Sequence, residues 1–263
     1  VLVEITDYSK VSFEDHKGII IKSIGHKDDP GVDILSVIYK HNIPSEFPQD
    51  VLEQTEKISD EIKLEDKYRD CNNEMVVTID GDDAKDLDDA ISVVKTKKGY
   101  RLKVFIADVS RYVTEDSPLD KEAANRGCSV YLADRVVPML PRKLSNNICS
   151  LNPHVLRYTI CCDIDFNTKG YPESYDIYPA IIKSKGRLTY KKVNEVYAEN
   201  KEMIEEYKDY VPMLKTALEL STKIRANRET RGAIDFDKPE SKVVVDENGE
   251  VLDIVLRERG ISE

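Results

Sequence analysis

Six of the ten residues from Asp80 to Asp89 are aspartates, set against a single lysine, Lys85. Two carboxylates about 5 Å apart repel by roughly 3 kcal/mol at an effective dielectric of 20. A packed segment of this composition must therefore stay solvated or bind cations. Divalent metal is the natural counter-charge, because aspartate oxygens suit Mg2+ or Mn2+. The cluster begins where the apolar run Met75 to Ile79 ends and stops where Ala90 to Val94 begins. Asp80 and Asp89 are thus expected at the edges of a core, where strands can aim side chains at a common point. A solvated acidic loop is the plain alternative.

Other acidic motifs fit less well. Counted from Asp80 as an EF-hand, the position that needs glycine is Lys85, and no Glu closes the loop. Asp82-Asp83-Ala84-Lys85-Asp86 matches the DDxxD of prenyl-diphosphate synthases, but that motif belongs on a helix in an all-α protein, and these flanks read as strands. An aspartyl-phosphate phosphatase would need a threonine after the glycine-containing turn and a βαβ rhythm. Neither is present.

The elements that must position these residues follow from periodicity and turn chemistry. Residues 1–41 read as two short strands, VLVEIT and GIIIKSIG, and a helical stretch, DILSVIYKH. The charged stretch from Ile43 to Asp70 reads as a linker helix, with Val51, Leu52, Ile58 and Ile62 as its apolar series. Strands follow in MVVTI, AISVVKT and YRLKVFIADV, the last two joined by a hairpin turn at Lys97-Lys98-Gly99. Ser117 as cap, Pro118 at the first helical position and Gly127 as stop predict a short helix. Strands resume in SVYL and in RYTICCDIDF, where Tyr158, Ile160, Cys162, Ile164 and Phe166 share a face, and Asn167 to Gly170 reads as a turn. The chain is helical from Tyr190 to Arg231, stops at Gly232 and ends in a hairpin turning at Asn248-Gly249. The expected architecture is α+β: a mixed or antiparallel sheet with helices, preceded by part of a small β module.

Composition sets the class. At 40% hydrophobic and 34% charged, with no apolar run near the roughly 18 residues of a membrane span, the chain reads as soluble and cytoplasmic, without a membrane partner. Five scattered cysteines with no CxxC pair suggest reduced thiols, neither a disulfide framework nor a zinc site. The net charge of −11 argues against a broad basic surface for nucleic acid. The sequence begins at Val1 and stops just after a strand-like run, so both ends are expected to be cut.

The run TIDGDDAKDLDDAISV closely resembles the signature of the ribonuclease II/RNase R family's catalytic (RNB) domain, in which four aspartates follow the order D-x5-D-x-D-D. RGCSVYLADRVVPMLPRKLSNNICSLNPHVLRYTICCDI resembles the next segment of that domain, and IADVSRYV, GRLTYKKV and RGAIDFD resemble shorter ones in the right order. The resemblance spans nearly the whole chain and is nearer to the RNase R branch. It implies residues 1–45 as the end of a cold-shock, OB-type β-barrel domain, 46–70 as a helical linker and 71–263 as the first part of the catalytic domain.

The chemistry implied is hydrolysis of single-stranded RNA from its 3′ end to nucleoside 5′-monophosphates, by a monomer using Mg2+ or Mn2+ in a two-metal displacement. By the same resemblance Asp80, Asp86, Asp88 and Asp89 form the metal site, with Asp88 tied most directly to the catalytic step. Asp82 and Asp83 match no ligand and read as exposed loop. Tyr131 and Phe236 are implied as an aromatic clamp on the terminal bases, where stacking grips any base. Arg135, Arg142 and Lys143 flank the Tyr131 segment and could meet phosphates or simply be solvated. An acidic protein can still hold a basic RNA channel. Phe105 and Arg111 depart from the family pattern, where His, or His and Tyr, are common. The family's later FTSPIRRY-like segment and S1 domain do not occur in these residues, so this piece alone is expected to be inactive. An RNA- or metal-binding module without turnover, or another metal-dependent phosphohydrolase, are the competing readings.

Overall fold

The computed structural model describes residues 1–11, 15–234, 240–246, 250–257 and 259–263. From the N-terminus, β1 (Leu2–Asp7) and β2 (Lys17–Lys22) form an antiparallel ribbon, and α1 (Val32–Lys40) follows with Val32 and Ile38 buried. Next come α2 (Gln49–Lys57), β3 (Arg69–Asp70), β4 (Val77–Asp80), β5 (Asp89–Lys95), β6 (Gly99–Ala107) and α3 (Pro118–Arg126). A small hairpin of β7 (Val130–Tyr131) and β8 (Val136–Val137) precedes a π-helical stretch, Lys143–Ile148. The strands β9 (Leu156–Asn167), β10 (Pro172–Lys183) and β11 (Gly186–Thr189) then lead into α4 (Tyr190–Tyr197), α5 (Lys201–Glu206) and α6 (Val211–Thr230). Finally β12 (Glu240–Val245) pairs antiparallel with β13 (Val251–Arg257). No helix among the described residues is long and apolar enough to cross a membrane.

The chain forms two compact units. One comprises Val1–Pro48, Glu122–Met139 and Pro239–Arg257, and holds the two ribbons, α1 and the β7–β8 hairpin. The other comprises Gln49–Lys121, Leu140–Lys238 and Glu258–Glu263. It is built on a seven-stranded sheet in the order β11-β4-β5-β6-β9-β10-β3. The pairs β11–β4 and β10–β3 are parallel and the others antiparallel, which is the mixed sheet expected of an α+β domain.

Alternation decides which sheet face is covered. Val93, Tyr100 and Phe166 lie on the face that meets Val193 and Val196 of α4 and Leu214 and Leu220 of α6, closing the main core. Tyr158, at the other end of β9, joins Tyr68 and Ile181 in a separate cluster. On the opposite face Asp163 is buried, and it is satisfied by two 2.7 Å bonds from Arg101 and one of 3.0 Å from the Tyr178 hydroxyl. These partners hold its pKa low despite the burial that opposes them.

The sequence and the structure part at residues 58–70. Helix is confined to Gln49–Lys57, with Val51 buried and Leu52 exposed. Beyond it the Ser59 hydroxyl accepts the Glu61 N–H, a local bond that competes with helix. The Tyr158 hydroxyl both accepts the Lys63 N–H and donates to the Lys63 carbonyl, fixing that backbone from the sheet. The helical run from 190 to 231 is broken into three by the caps Thr189 and Asn200 and by Pro212 at the start of α6. The Asn248-Gly249 turn lies outside the described residues.

The short helix α3 forms as its caps predict. Ser117 Oγ accepts the Asp120 N–H at 3.2 Å, the Asp120 carboxylate accepts the Asp116 N–H at 3.0 Å, and Gly127 takes φ 73°. Ser117→Ala is expected to cost about 0.5–2 kcal/mol, read as a lower urea midpoint at unchanged slope. An unchanged midpoint would show the cap to be idle.

Candidate functional site

The four aspartates implied by the family resemblance lie at the facing ends of two neighbouring strands and in the connection between them. Asp80 is the last residue of β4, Asp89 the first of β5, and Asp86 and Asp88 belong to the connection. The two strands meet in antiparallel pairing at Val77↔Ile91. The Asp88 carbonyl accepts the Ala107 N–H at 2.9 Å, and Asp89 pairs with Ile106 of β6. Asp80 and Asp86 are half-buried, while Asp88 and Asp89 are more exposed. Asp82 and Asp83 are exposed, as expected of loop residues.

The connection is pinned at several points. Leu87, between Asp86 and Asp88, is buried, a contribution of about 1.5–3 kcal/mol for a leucine. Its N–H donates to Ser150 Oγ at 3.1 Å and its carbonyl accepts the Leu151 N–H at 2.8 Å. The Ser150 hydroxyl donates to the Lys85 carbonyl at 2.9 Å. Arg187 of β11 holds the outer half, donating to the carbonyls of Asp82 at 2.9 Å and Ala84 at 2.7 Å. Gly81 N–H donates to the Asp80 carboxylate at 2.7 Å.

Electrostatics tie the four together. Although the residue as a whole is exposed, desolvation of its carboxylate by the surrounding protein raises the pKa of Asp88, and the charges of Asp86, Asp89 and Asp80 raise it further. Burial also raises Asp89, with Asp80 adding to it. The nearby Cys149 thiol is pushed up to about 12 by burial and then by the Asp88 charge, so it stays protonated and offers no thiolate ligand. The donors are therefore carboxylates alone, a set that fits Mg2+ or Mn2+ and not a soft metal. Among the described residues, however, no three His, Cys, Asp or Glu side chains already stand close enough together to hold an ion. The charges of Asp80, Asp86 and Asp89 act on Asp88, but the four side chains do not form a closed cage. Mutual repulsion favours that open arrangement of like charges.

Of the two aromatics, Tyr131 ends β7 and is 65% exposed. It belongs to the unit of the β7–β8 hairpin, whereas the aspartates belong to the sheet unit. Phe236 lies outside the described residues. Arg135 is bound to its neighbour Asp134 and to the Gly31 carbonyl, and Lys143 donates to the Glu56 carbonyl at 2.9 Å. Both heads already have partners within the chain. Arg142 is exposed. Phe105 is wholly buried, and Arg111 pairs with Glu65 over the Tyr158 ring. Sequence reasoning assigned no role to Ser150 or Arg187. Both sit inside the quoted segments, but the bonds they make join residues 63 to 105 positions apart, which no local pattern signals.

The RNB domain family matches residues 68–263, and the cold shock domain family matches residues 1–48. The chain is 46% identical over its full length to ribonuclease R 1 of Lactococcus lactis and 45% identical to ribonuclease R of Thermotoga maritima. It spans 33% and 38% of those proteins. It is also similar to the structure of Mycoplasma genitalium RNase R in complex with ribose methylated single-stranded RNA, with TM-score 0.88, 33% identity and coverage of 99% of this chain and 40% of that one.

A raised carboxylate pKa in the folded state penalises the ionised form. The penalty is absent below the ordinary value of 3.8, grows as pH rises through the raised one and is complete at neutral pH. Asp88→Asn is therefore expected to raise the thermal midpoint in EDTA at pH 7, with the gain vanishing on acidification towards 3.8. A gain that persists or grows in acid would contradict the like-charge field.

Proposed function

The chain belongs to the RNB domain family, and from that membership we propose that it is part of an exoribonuclease that shortens single-stranded RNA from its 3′ end, releasing nucleoside 5′-monophosphates. The observation that carries this reading is the placement of Asp80 and Asp89 at facing strand ends with Asp86 and Asp88 in the connection between them, where the charges of the other three act on Asp88. In this reading those four hold Mg2+ or Mn2+. Bound divalent ions would supply the positive charge that activates water and stabilises the leaving oxygen.

The residues of the chain set the rest. Strand ends anchor Asp80 and Asp89, the buried Leu87 keeps the connection between them from swinging into solvent, and Asp88, whose pKa desolvation and the charges of its acidic neighbours raise, is read as acting closest to the reacting phosphate. Tyr131 and Phe236 grip terminal bases by stacking, which needs no particular sequence. Residues 1–45 act as the end of an OB-type module, joined through 46–70 to the catalytic portion at 71–263. A monomeric cytoplasmic protein belongs to the same reading, and the five free cysteines are consistent with a reducing compartment.

The test is the full-length protein on 5′-labelled single-stranded RNA. Stepwise 3′ shortening that stops with EDTA is expected. Binding without shortening would make it an RNA-binding module, and cleavage of phosphomonoesters alone would make it another phosphohydrolase.

Asp88→Asn is expected to lower turnover by more than about 100-fold, with RNA affinity within a few-fold of wild type, since stacking and phosphate contacts carry the binding. Wild-type rates would remove Asp88 from its role. Tyr131→Ala is expected to weaken binding of short RNAs by about 5-fold to 100-fold, the worth of one stack, and to affect long RNAs much less. Equal effects at all lengths in a titration would place Tyr131 elsewhere.

A further inference from the structure

We propose that Ser150 is a positioning residue for the carboxylate site, acting through the backbone of Lys85 and Leu87 to aim Asp86 and Asp88. The inference rests on the reading of these aspartates as metal ligands and names what holds them in register.

Ser150 is fully buried, and its hydroxyl is used in both directions. It donates to the Lys85 carbonyl at 2.9 Å and accepts the Leu87 N–H at 3.1 Å. These two groups flank Asp86, so one side chain fixes the backbone on both sides of that carboxylate. The adjacent Leu151 N–H donates to the Leu87 carbonyl at 2.8 Å, which fixes the peptide leading into Asp88. A serine suits this buried place because a hydroxyl donates and accepts from a single small atom.

Ser150 is itself held from beneath. Arg157 is 7% exposed, and its Nε donates to the Ser150 carbonyl at 2.8 Å. Its other nitrogens donate to the carbonyls of Asn147 at 2.9 Å and Leu156 at 2.8 Å. The planar guanidinium thereby locks the end of the π-helical stretch to β9. The chain of contact runs from β9 through Arg157 and Ser150 to the acidic connection, and none of its members is a ligand.

A merely structural serine would lower stability without changing what the folded site does. A positioning serine alters the site at equal folding, since groups that orient metal ligands typically cost 10–100-fold in metal affinity or activity when lost. The experiment is an Mn2+ titration of the full-length protein followed by the electron paramagnetic resonance signal of free Mn2+. Wild type, Ser150→Ala and Asp86→Asn are compared at a temperature where all three are folded. The expected result is a dissociation constant at least about 10-fold weaker in Ser150→Ala, together with a lower kcat on single-stranded RNA at unchanged KM. If Asp86→Asn weakens Mn2+ binding while Ser150→Ala leaves it within two-fold of wild type, the positioning role is overturned and the metal reading stands. If Asp86→Asn itself leaves Mn2+ binding intact, the metal reading falls and takes this inference with it. Should the alanine variant fail to fold, Ser150→Cys keeps the volume while replacing the hydroxyl with a weak donor and acceptor, and the same two-fold limit decides.

Discussion

Asp80, Asp86, Asp88 and Asp89 repel one another, so whatever gathers them must come from other residues. At an effective dielectric of 20, a pair at 5 Å costs roughly 3 kcal/mol, and solvent screening reduces that for the exposed Asp88 and Asp89. On the other side stand the burial of Leu87, about 1.5–3 kcal/mol, and backbone hydrogen bonds from Ser150, Leu151, Arg187 and Ala107, each about 0.5–1.5 kcal/mol net. These contacts act against the repulsion. The acidic connection is thus held in place by its apolar residue and its peptide groups, while its carboxylates pull against them.

That balance explains why the sheet is built as it is around the site. Asp80 and Asp89 each belong to a strand with a neighbour on both sides, β11 and β5 for the first and β4 and β6 for the second. Such strands cannot yield without breaking ladders, and the helices α4 and α6 seal their covered face. The repulsion therefore cannot relax through the strands. It is confined to side-chain rotamers and to the exposed stretch at Asp82 and Asp83, where Arg187 is one retaining contact. A divalent ion placed among these carboxylates would turn their mutual repulsion into shared attraction and leave every anchor unchanged.

Much of this was legible in the sequence because it is local. The helix α3 follows from Ser117, Pro118 and Gly127, and the β5–β6 hairpin from Lys97-Lys98-Gly99, where Thr96 and Gly99 exchange backbone bonds. The apolar runs on either side of the aspartate cluster placed Asp80 and Asp89 at strand ends. What stayed hidden is non-local. β10 escaped because Pro172 and Pro179 argue against a strand, although each is accommodated within its pairing with β9. The helix over-read beyond Lys57 failed because Tyr158, 95 residues away, captures the Lys63 backbone.

The least expected element is a buried positive charge that, among the described residues, hydrogen-bonds carbonyl oxygens and no carboxylate. Arg157 is bonded to the carbonyls of Ser150, Asn147 and Leu156, and burial holds its pKa below the ordinary value. A carboxylate partner would satisfy it more strongly but would add a further negative charge behind a cluster that already repels itself. Carbonyls satisfy the guanidinium and carry no net charge, so the cation remains electrically available. Cys149 registers this directly, since the Asp88 charge raises its pKa while the Arg157 charge lowers it. The same guanidinium that braces Ser150 geometrically also opposes, at that thiol, the field of the acidic connection. A neutral residue of equal size could fill the space but would supply neither the fork of donors nor that charge.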